Sequence, residues 1–196
     1  MTFSVRGKRV LLYGDSQMQG LYPKLREILL RSGASEVIVQ VQQGLKLSEM
    51  PSEQRPRRAD VAIVSGGGNL PPRTIEAASS QMDALLSLLP REVAWISVVP
   101  STDPELEQGR SRMRSFQKEH LPSKGVTVID SPDLVSGLPM RDSVHFTREG
   151  YQSFASRVAG ALSTMVQSSA PFGSILATGV AAGVILAVLI GRKSTG

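Results

Sequence analysis

Short runs of apolar and β-branched residues alternate along the chain with longer stretches in which apolar residues recur at helical spacing. This pattern predicts five strands, at Arg9–Tyr13, Glu36–Val41, Asp60–Ser65, Val93–Val99 and Gly125–Ile129. It predicts helices at Gln19–Arg31, Ile75–Leu89, the more polar Glu105–His120, and Arg148–Met165. Strands that are apolar throughout and alternate with helices indicate a parallel sheet covered on both faces. We therefore predict an α/β domain with a mostly parallel five-stranded sheet.

The C-terminal part of the chain has a different pattern. No charged residue occurs between Arg157 and Arg192, and residues Phe172–Gly191 are nearly all apolar or small. A helix of this length spans about 30 Å, the thickness of the hydrocarbon core of a bilayer. We predict a globular domain at 1–167, a short linker at 168–171, a transmembrane helix at 172–191 and a basic tail at 192–196. A buried core helix is the alternative for the apolar run.

The predicted transmembrane helix carries small residues at every fourth position: Gly179, Gly183, Ala187 and Gly191. Such a ridge suits self-association, although small residues are common in membrane helices in general. The segment Met1–Arg9 lacks the apolar stretch of a signal peptide, so we expect a single-pass anchor at the C-terminal end. Basic residues at Arg192 and Lys193 favour a cytoplasmic tail, but the side of the globular domain stays open. A lipid-containing virion is an alternative location.

Composition excludes several classes of site. The 196 residues include no cysteine, which excludes disulfides, thiolate metal sites and a cysteine nucleophile. With only two histidines, a multi-histidine metal site is excluded as well, and we predict neither a metal nor a cofactor. The net charge is +5, but basic residues are spread along the chain, with one cluster at Arg55, Arg57 and Arg58. We expect that cluster to be solvated surface and predict no nucleic-acid partner.

Ligands of parallel sheets bind at the carboxyl ends of the strands, and polar residues stand there in this chain. Ser16 follows a glycine-led turn and precedes a helix, whose N–H groups suit a developing oxyanion, so it is a candidate nucleophile. His145 is the candidate base, because its rival His120 stands beside Pro122 in a polar helix and is expected on the surface. Asp142, three residues before His145, can orient the imidazole.

Asn69 is the only asparagine in the chain, and it follows three glycines at a predicted strand end. Its side-chain NH₂ can hold an oxyanion; the alternative is a residue of a left-handed turn. The glycines lack the following Lys-Ser/Thr of a phosphate-binding loop. Met18 occupies the position of the second glycine in G-x-S-x-G, so the common hydrolase elbow is absent.

Four blocks occur in the order and spacing of the SGNH, or GDSL, hydrolase superfamily: Gly14-Asp15-Ser16, Gly44, Gly67-Gly68-Asn69 and Asp142-x-x-His145. The chain resembles that family from residue 8 to about residue 165. The resemblance implies a three-layer α/β/α, flavodoxin-like fold, with Ser16 as nucleophile, His145 as general base and Asp142 as its partner. It also implies an oxyanion hole made by the backbone N–H groups of Ser16 and Gly44 and the side chain of Asn69.

Two positions depart from the family pattern. Gln17 replaces the usual leucine, an exchange that we expect to be harmless, and Leu70 replaces an acidic residue. The function implied by the resemblance is that of a serine hydrolase of carboxylic esters, such as O-acetyl groups on envelope polysaccharide or peptidoglycan, and the predicted transmembrane helix would anchor it in a membrane. Two alternatives stay open. One is a non-catalytic membrane or virion component that retains the fold; the other is an O-acyltransferase that uses the same triad.

Overall fold

A computed structural model of the chain describes residues 4–53, 56–69 and 74–168. The five strands are β1 (Arg9–Gly14), β2 (Glu36–Val41), β3 (Val61–Ser65), β4 (Glu92–Ile96) and β5 (Thr127–Ile129). The helices are α1 (Ser16–Arg31), α2 (Met50–Glu53), α3 (Ile75–Leu86), α4 (Pro104–Ser123), α5 (Ser131–Val135) and α6 (Arg148–Ser168). Each strand and helix predicted within residues 1–167 is present, and the short helices α2 and α5 are additional.

The strands form one parallel sheet in the order β2-β1-β3-β4-β5. Strand β1, which lies between β2 and β3, ends at the same level as both of these neighbours, because Gly14 is in register with Val41 of β2 and with Ser65 of β3. The loops that follow β1, β2 and β3 therefore begin side by side at one edge of the sheet. The predicted α/β fold with a parallel five-stranded sheet is confirmed.

Side chains of each strand alternate between two cores, one on each face of the sheet. In β1, Val10 and Leu12 are buried in the cluster that contains α1 and α6, whereas Leu11 and Tyr13 are buried in the cluster that contains α3 and α4. All four are fully buried. Burial on both faces explains why the strand is apolar throughout, and it produces the three layers α/β/α.

Two glycines allow close approaches near the carboxyl edge of the sheet. Gly14 has φ +153°, and a Cβ there would lie 2.0 Å from the carbonyl oxygen of Ser65. At Gly20, a Cβ would lie 2.3 Å from the ring of Tyr151, so this glycine lets α6 pack directly onto α1. A larger residue at Gly14 would push β1 away from β3, and one at Gly20 would push α1 away from α6.

His120 differs from the sequence prediction, which placed it on the surface. Its side chain is only 13% exposed, its Nε2 lies 2.9 Å from Oδ1 of Asp83, and its ring stacks on Phe116. The reason is that this side of α4 packs against α3, a contact that the polar sequence of α4 does not reveal. His120 is a structural residue that joins the two helices.

The chain beyond α6 lies outside the described residues. Helix α6 continues to Ser168, the first residue of the predicted linker. The predicted transmembrane helix Phe172–Gly191, its ridge of small residues and the basic tail stay predictions. Within the described ranges, every helix is too short or too polar to cross a bilayer.

Candidate active site

Ser16 is the first residue of α1 and is separated by one residue from the end of β1. The preceding residue, Asp15, is the N-cap of α1, and its Oδ1 accepts a hydrogen bond from the backbone N–H of Gln17 at 3.0 Å. This cap makes an abrupt change from strand to helix, because the N-cap residue keeps extended backbone angles while the helix begins after it. Ser16 is thereby held at the carboxyl edge of the sheet.

The structure brings Ser16, His145 and Asp142 into one hydrogen-bonded line. Nε2 of His145 lies 3.0 Å from Oγ of Ser16. On the other side of the ring, Nδ1 lies 3.0 Å from both carboxylate oxygens of Asp142. This is the geometry in which an imidazole can take the proton of a hydroxyl while a carboxylate holds its tautomer.

The Asp142 carboxylate is held by its own loop. Its Oδ1 accepts hydrogen bonds from the N–H groups of Val144, at 2.9 Å, and His145, at 2.8 Å. Desolvation raises the pKa of Asp142, but these two N–H donors and the imidazole outweigh it and hold the pKa well below its usual range. Asp142 therefore stays ionised at neutral pH, ready to accept the Nδ1–H of His145.

The candidate oxyanion residues Asn69 and Gly44 lie in the loops after β3 and β2, the two strands that flank β1. Nδ2 of Asn69 donates to the carbonyl oxygen of Leu45 at 3.2 Å and lies 3.5 Å from Oδ2 of Asp15. Gly44 is exposed and has φ +74°, a left-handed conformation that suits glycine. The contact between Asn69 and Leu45 joins the two loops beside the start of α1.

The glycine loop that carries Asn69 rests on two buried polar side chains of α4. Nη1 of Arg110 donates to the carbonyl oxygen of Gly68 at 3.0 Å, and its Nε donates to that of Val99 at 2.7 Å. Nε2 of Gln117 donates to the carbonyl oxygen of Gly66 at 2.8 Å. Sequence reasoning missed both residues. The sequence signal that could have indicated them is their separation of seven residues, which places both on one face of a polar helix.

Asp15 is nearly fully buried, and its environment is unusual for a carboxyl group. Burial raises its pKa to about 6, against the opposing effects of the N–H of Gln17 and the positive charge of Arg110. Sequence reasoning treated Asp15 as part of a motif and assigned it no interaction. In the structure it caps the helix of Ser16 and lies beside the amide of Asn69.

Gln17 connects the Ser16 turn to the loop of His145. Its Nε2 donates to the carbonyl oxygen of Val144 at 2.7 Å, and the hydroxyl of Tyr151 donates to its Oε1 at 3.3 Å. The side chain is buried. The leucine that is usual at this position in the family can make neither hydrogen bond. The expectation that glutamine is a harmless replacement did not include these contacts.

A cleft of about 360 Å³ opens at Ser16 and His145. Helices α1 and α6 contribute Gln19, Gly20, Arg148 and Tyr151 to its wall, and loops contribute Gln43 and Arg141 among others. Amide, hydroxyl and guanidinium groups therefore surround the candidate nucleophile, which suits a polar ligand better than a long acyl chain.

No protein-family profile and no curated protein matches the sequence. The fold, in contrast, matches solved structures. A carbohydrate acetylesterase family member from Sinorhizobium meliloti is similar with a TM-score of 0.62 and 15% identity, over 82% of this chain and 99% of that chain. A member of the lipolytic protein G-D-S-L family from Veillonella parvula is similar with a TM-score of 0.61 and 16% identity, over 79% of this chain and 98% of that chain.

A third similar structure is the C-terminal catalytic domain of peptidoglycan O-acetyltransferase A from Streptococcus pneumoniae. Its TM-score is 0.59 at 16% identity, over 84% of this chain and 97% of that chain. At such identities the likeness concerns the fold. The chain has the α/β fold of the SGNH/GDSL esterases, as the sequence blocks predicted.

Proposed function

We propose that the protein is a serine hydrolase that cleaves carboxylic esters, with acylated carbohydrates as the substrate class. The observation that carries the proposal is the line of contacts Ser16–His145–Asp142, at 3.0 Å on each side of the imidazole. The SGNH/GDSL esterase fold of the chain and its likeness to a carbohydrate acetylesterase support it.

In the first half-reaction Oγ of Ser16 attacks the ester carbonyl carbon while Nε2 of His145 takes the hydroxyl proton. The negative charge that develops on the carbonyl oxygen is stabilised by the backbone N–H groups of Ser16 and Gly44 and by Nδ2 of Asn69. The C–O bond to the alcohol then breaks, His145 returns its proton to the leaving alcohol, and an acyl group stays on Ser16.

In the second half-reaction His145 removes a proton from water, and the resulting hydroxide attacks the acyl-enzyme. The bond to Oγ breaks, Ser16 recovers the proton, and the carboxylic acid leaves. Asp142 stays ionised throughout and stabilises the imidazolium that forms in each half.

Transfer of the acyl group to a sugar hydroxyl instead of water is a second candidate. The likeness to the catalytic domain of a peptidoglycan O-acetyltransferase favours it, and it needs the same residues. The two outcomes differ in the second half-reaction alone. Acetylated product formed from an added sugar, measured against free acetate, distinguishes them.

A fluorophosphonate probe tests the proposed nucleophile. We expect one covalent adduct, located on Ser16 by mass spectrometry, and turnover of 4-nitrophenyl acetate. Ser16→Ala removes both, whereas the matched control Ser156→Ala, an exposed serine of α6, retains both. An adduct on another serine, or wild-type turnover in Ser16→Ala, would contradict the proposal and favour a non-catalytic protein that retains the fold.

We further propose that residues 172–191 anchor the protein in a membrane, because the run has the length of a bilayer span and contains no charge. The full chain should resist alkaline carbonate extraction. Val184→Arg should weaken insertion by about 2.5–3.5 kcal/mol and release a fraction of the protein. Complete release of the unaltered chain would contradict the anchor and leave the proposed chemistry untouched.

A further inference from the structure

The cleft beside Ser16 is lined by positively charged side chains. The charged side chains that line it are Arg141 and Arg148, and the described residues of its wall include no acidic side chain. Apart from the imidazole of His145, the other polar side chains of the wall, among them Gln19 and Gln43, are neutral amides and hydroxyls. A concave site with one sign of charge raises the local concentration of ligands of the opposite sign.

Both arginines are on the side of Ser16 where the alcohol part of an ester must lie. In the proposed reaction His145 protonates the leaving alcohol, so that part of the substrate is next to the imidazole and away from Asn69. The backbone N–H of Arg141 donates to the carbonyl oxygen of His145 at 2.8 Å, and Arg148 begins α6 just after the same loop.

The guanidinium groups are free enough to bind a ligand. Arg141 is 65% exposed and contacts Asp142 at 3.4 Å, a long and solvated ion pair that contributes little energy. Arg148 is exposed at the rim of the cleft. Guanidinium groups that line one cleft suit the planar oxygens of a carboxylate or the oxygens of a phosphate.

We propose that this cleft binds an anionic group, a carboxylate or a phosphate, on the alcohol part of the substrate, and that Arg141 and Arg148 hold it. The proposal rests on ester cleavage at Ser16 and narrows the substrates from acylated carbohydrates in general to acylated acidic sugars. The neighbouring amides of Gln19 and Gln43 remain available for the sugar hydroxyls.

Two pairs of ligands that differ in charge test the proposal with the full chain. One pair is O-acetylated methyl glucuronide as its carboxylate and as its carboxamide. The other is O-acetylated glucose 6-phosphate and O-acetylated glucose. Acetate release by the wild-type protein gives kcat/KM for each ligand, and calorimetry with Ser16→Ala gives binding that does not depend on turnover.

We expect the anionic member of at least one pair to be favoured about tenfold, mainly through KM, with the preference reduced in about 0.5 M salt. The favoured pair identifies the anion. The double variant Arg141→Gln/Arg148→Gln should abolish the preference. Because the preference is the ratio of kcat/KM for the two members of a pair, an effect of the variant on the triad changes both values equally and cancels. Arg112→Gln, an exposed arginine of α4 on the opposite face of the sheet, should keep it.

Equal binding of the two members of both pairs would overturn the proposal, as would a preference that survives in the double arginine variant. Failure of the proposed function gives a different result. In that case no ligand releases acetate, while Ser16→Ala still binds the anionic member more tightly and the charge preference stands.

Discussion

The two sides of the candidate site, the proposed base with its partner and the proposed oxyanion hole, are built in different ways. On the base side, Asp142 and His145 belong to one loop, and the N–H groups that hold the carboxylate come from Val144 and His145 of that loop. On the oxyanion side, Asn69 depends on residues from distant parts of the chain, including Leu45 and the side chains of α4. One side is organised by local sequence, and the other by tertiary packing.

The supports of the two sides also differ in burial. The side chain of Asp142 is 43% exposed and still keeps a lowered pKa, because the N–H groups that donate to it belong to neighbouring residues of the same loop. The glycine loop, in contrast, is supported by Arg110 and Gln117, both buried. The following four predictions test the contrast, starting with the largest expected effect.

Removal of the base should have the largest effect. We expect His145→Gln to lower kcat for 4-nitrophenyl acetate by about 10²–10⁴, because the Ser16 hydroxyl loses its proton acceptor. The thermal unfolding midpoint should change little, since the loop is held mainly by backbone contacts. His120→Gln is the matched control; it should keep kcat and lower stability instead, because it loses the contact with Asp83. If His120→Gln lowers kcat and His145→Gln does not, the assignment of the base to His145 is wrong.

Asn69→Ala should lower kcat by about 10²–10³ with KM nearly unchanged, the effect of losing one oxyanion donor. Steady-state kinetics with a small acetyl ester measures it. If kcat is unchanged and only the unfolding midpoint falls, Asn69 is a residue of the turn that joins the loops after β2 and β3.

Asp15 makes stability depend on pH in an uncommon direction. Its folded-state pKa of about 6 lies above the ordinary pKa of 3.8 for an aspartate, so its contribution to stability is full below about pH 4 and is lost as the pH rises through 6. The loss is about 3 kcal/mol, or roughly a hundredfold in the folding equilibrium.

Urea unfolding at pH 4 and pH 7.5 measures this effect as the difference between the wild-type protein and Asp15→Asn. The wild type should lose stability relative to Asp15→Asn as the pH rises. The opposite contribution of Asp142 is common to both proteins and cancels. A difference that does not change with pH would mean that burial leaves the pKa of Asp15 where it is in the unfolded chain.

Gln17 joins the Ser16 turn to the loop of His145, and its exchange should have the smallest of these effects. We expect Gln17→Leu to lower kcat about tenfold without raising KM, because the loop of His145 loses its hydrogen bond to the Ser16 turn. Tyr151→Phe, which removes only the hydroxyl that donates to Gln17, should act in the same direction but less. Unchanged kcat in Gln17→Leu would restore the expectation that this exchange is harmless.

Much of the fold could be predicted because its signals are local. The strand Glu36–Val41 was predicted at both ends, since a β-branched run is bounded there by turn residues. For β4 the prediction ran to Val99, but the strand ends at Ile96. The N–H of Val98 bonds to the side chain of Gln117 in place of a neighbouring strand, and no pattern in the strand itself reveals that partner.

The candidate triad was likewise accessible from sequence, because Asp142 and His145 are three residues apart and Ser16 follows a recognisable turn. What the sequence could not supply were the contacts between remote segments. Gln17 and Val144 are 127 residues apart, Arg110 and Gly68 are 42 apart, and Gln117 and Gly66 are 51 apart. Apolar periodicity and short motifs record which residues are buried or close in the chain, whereas the partner of a buried polar group is decided when the helices pack onto the sheet.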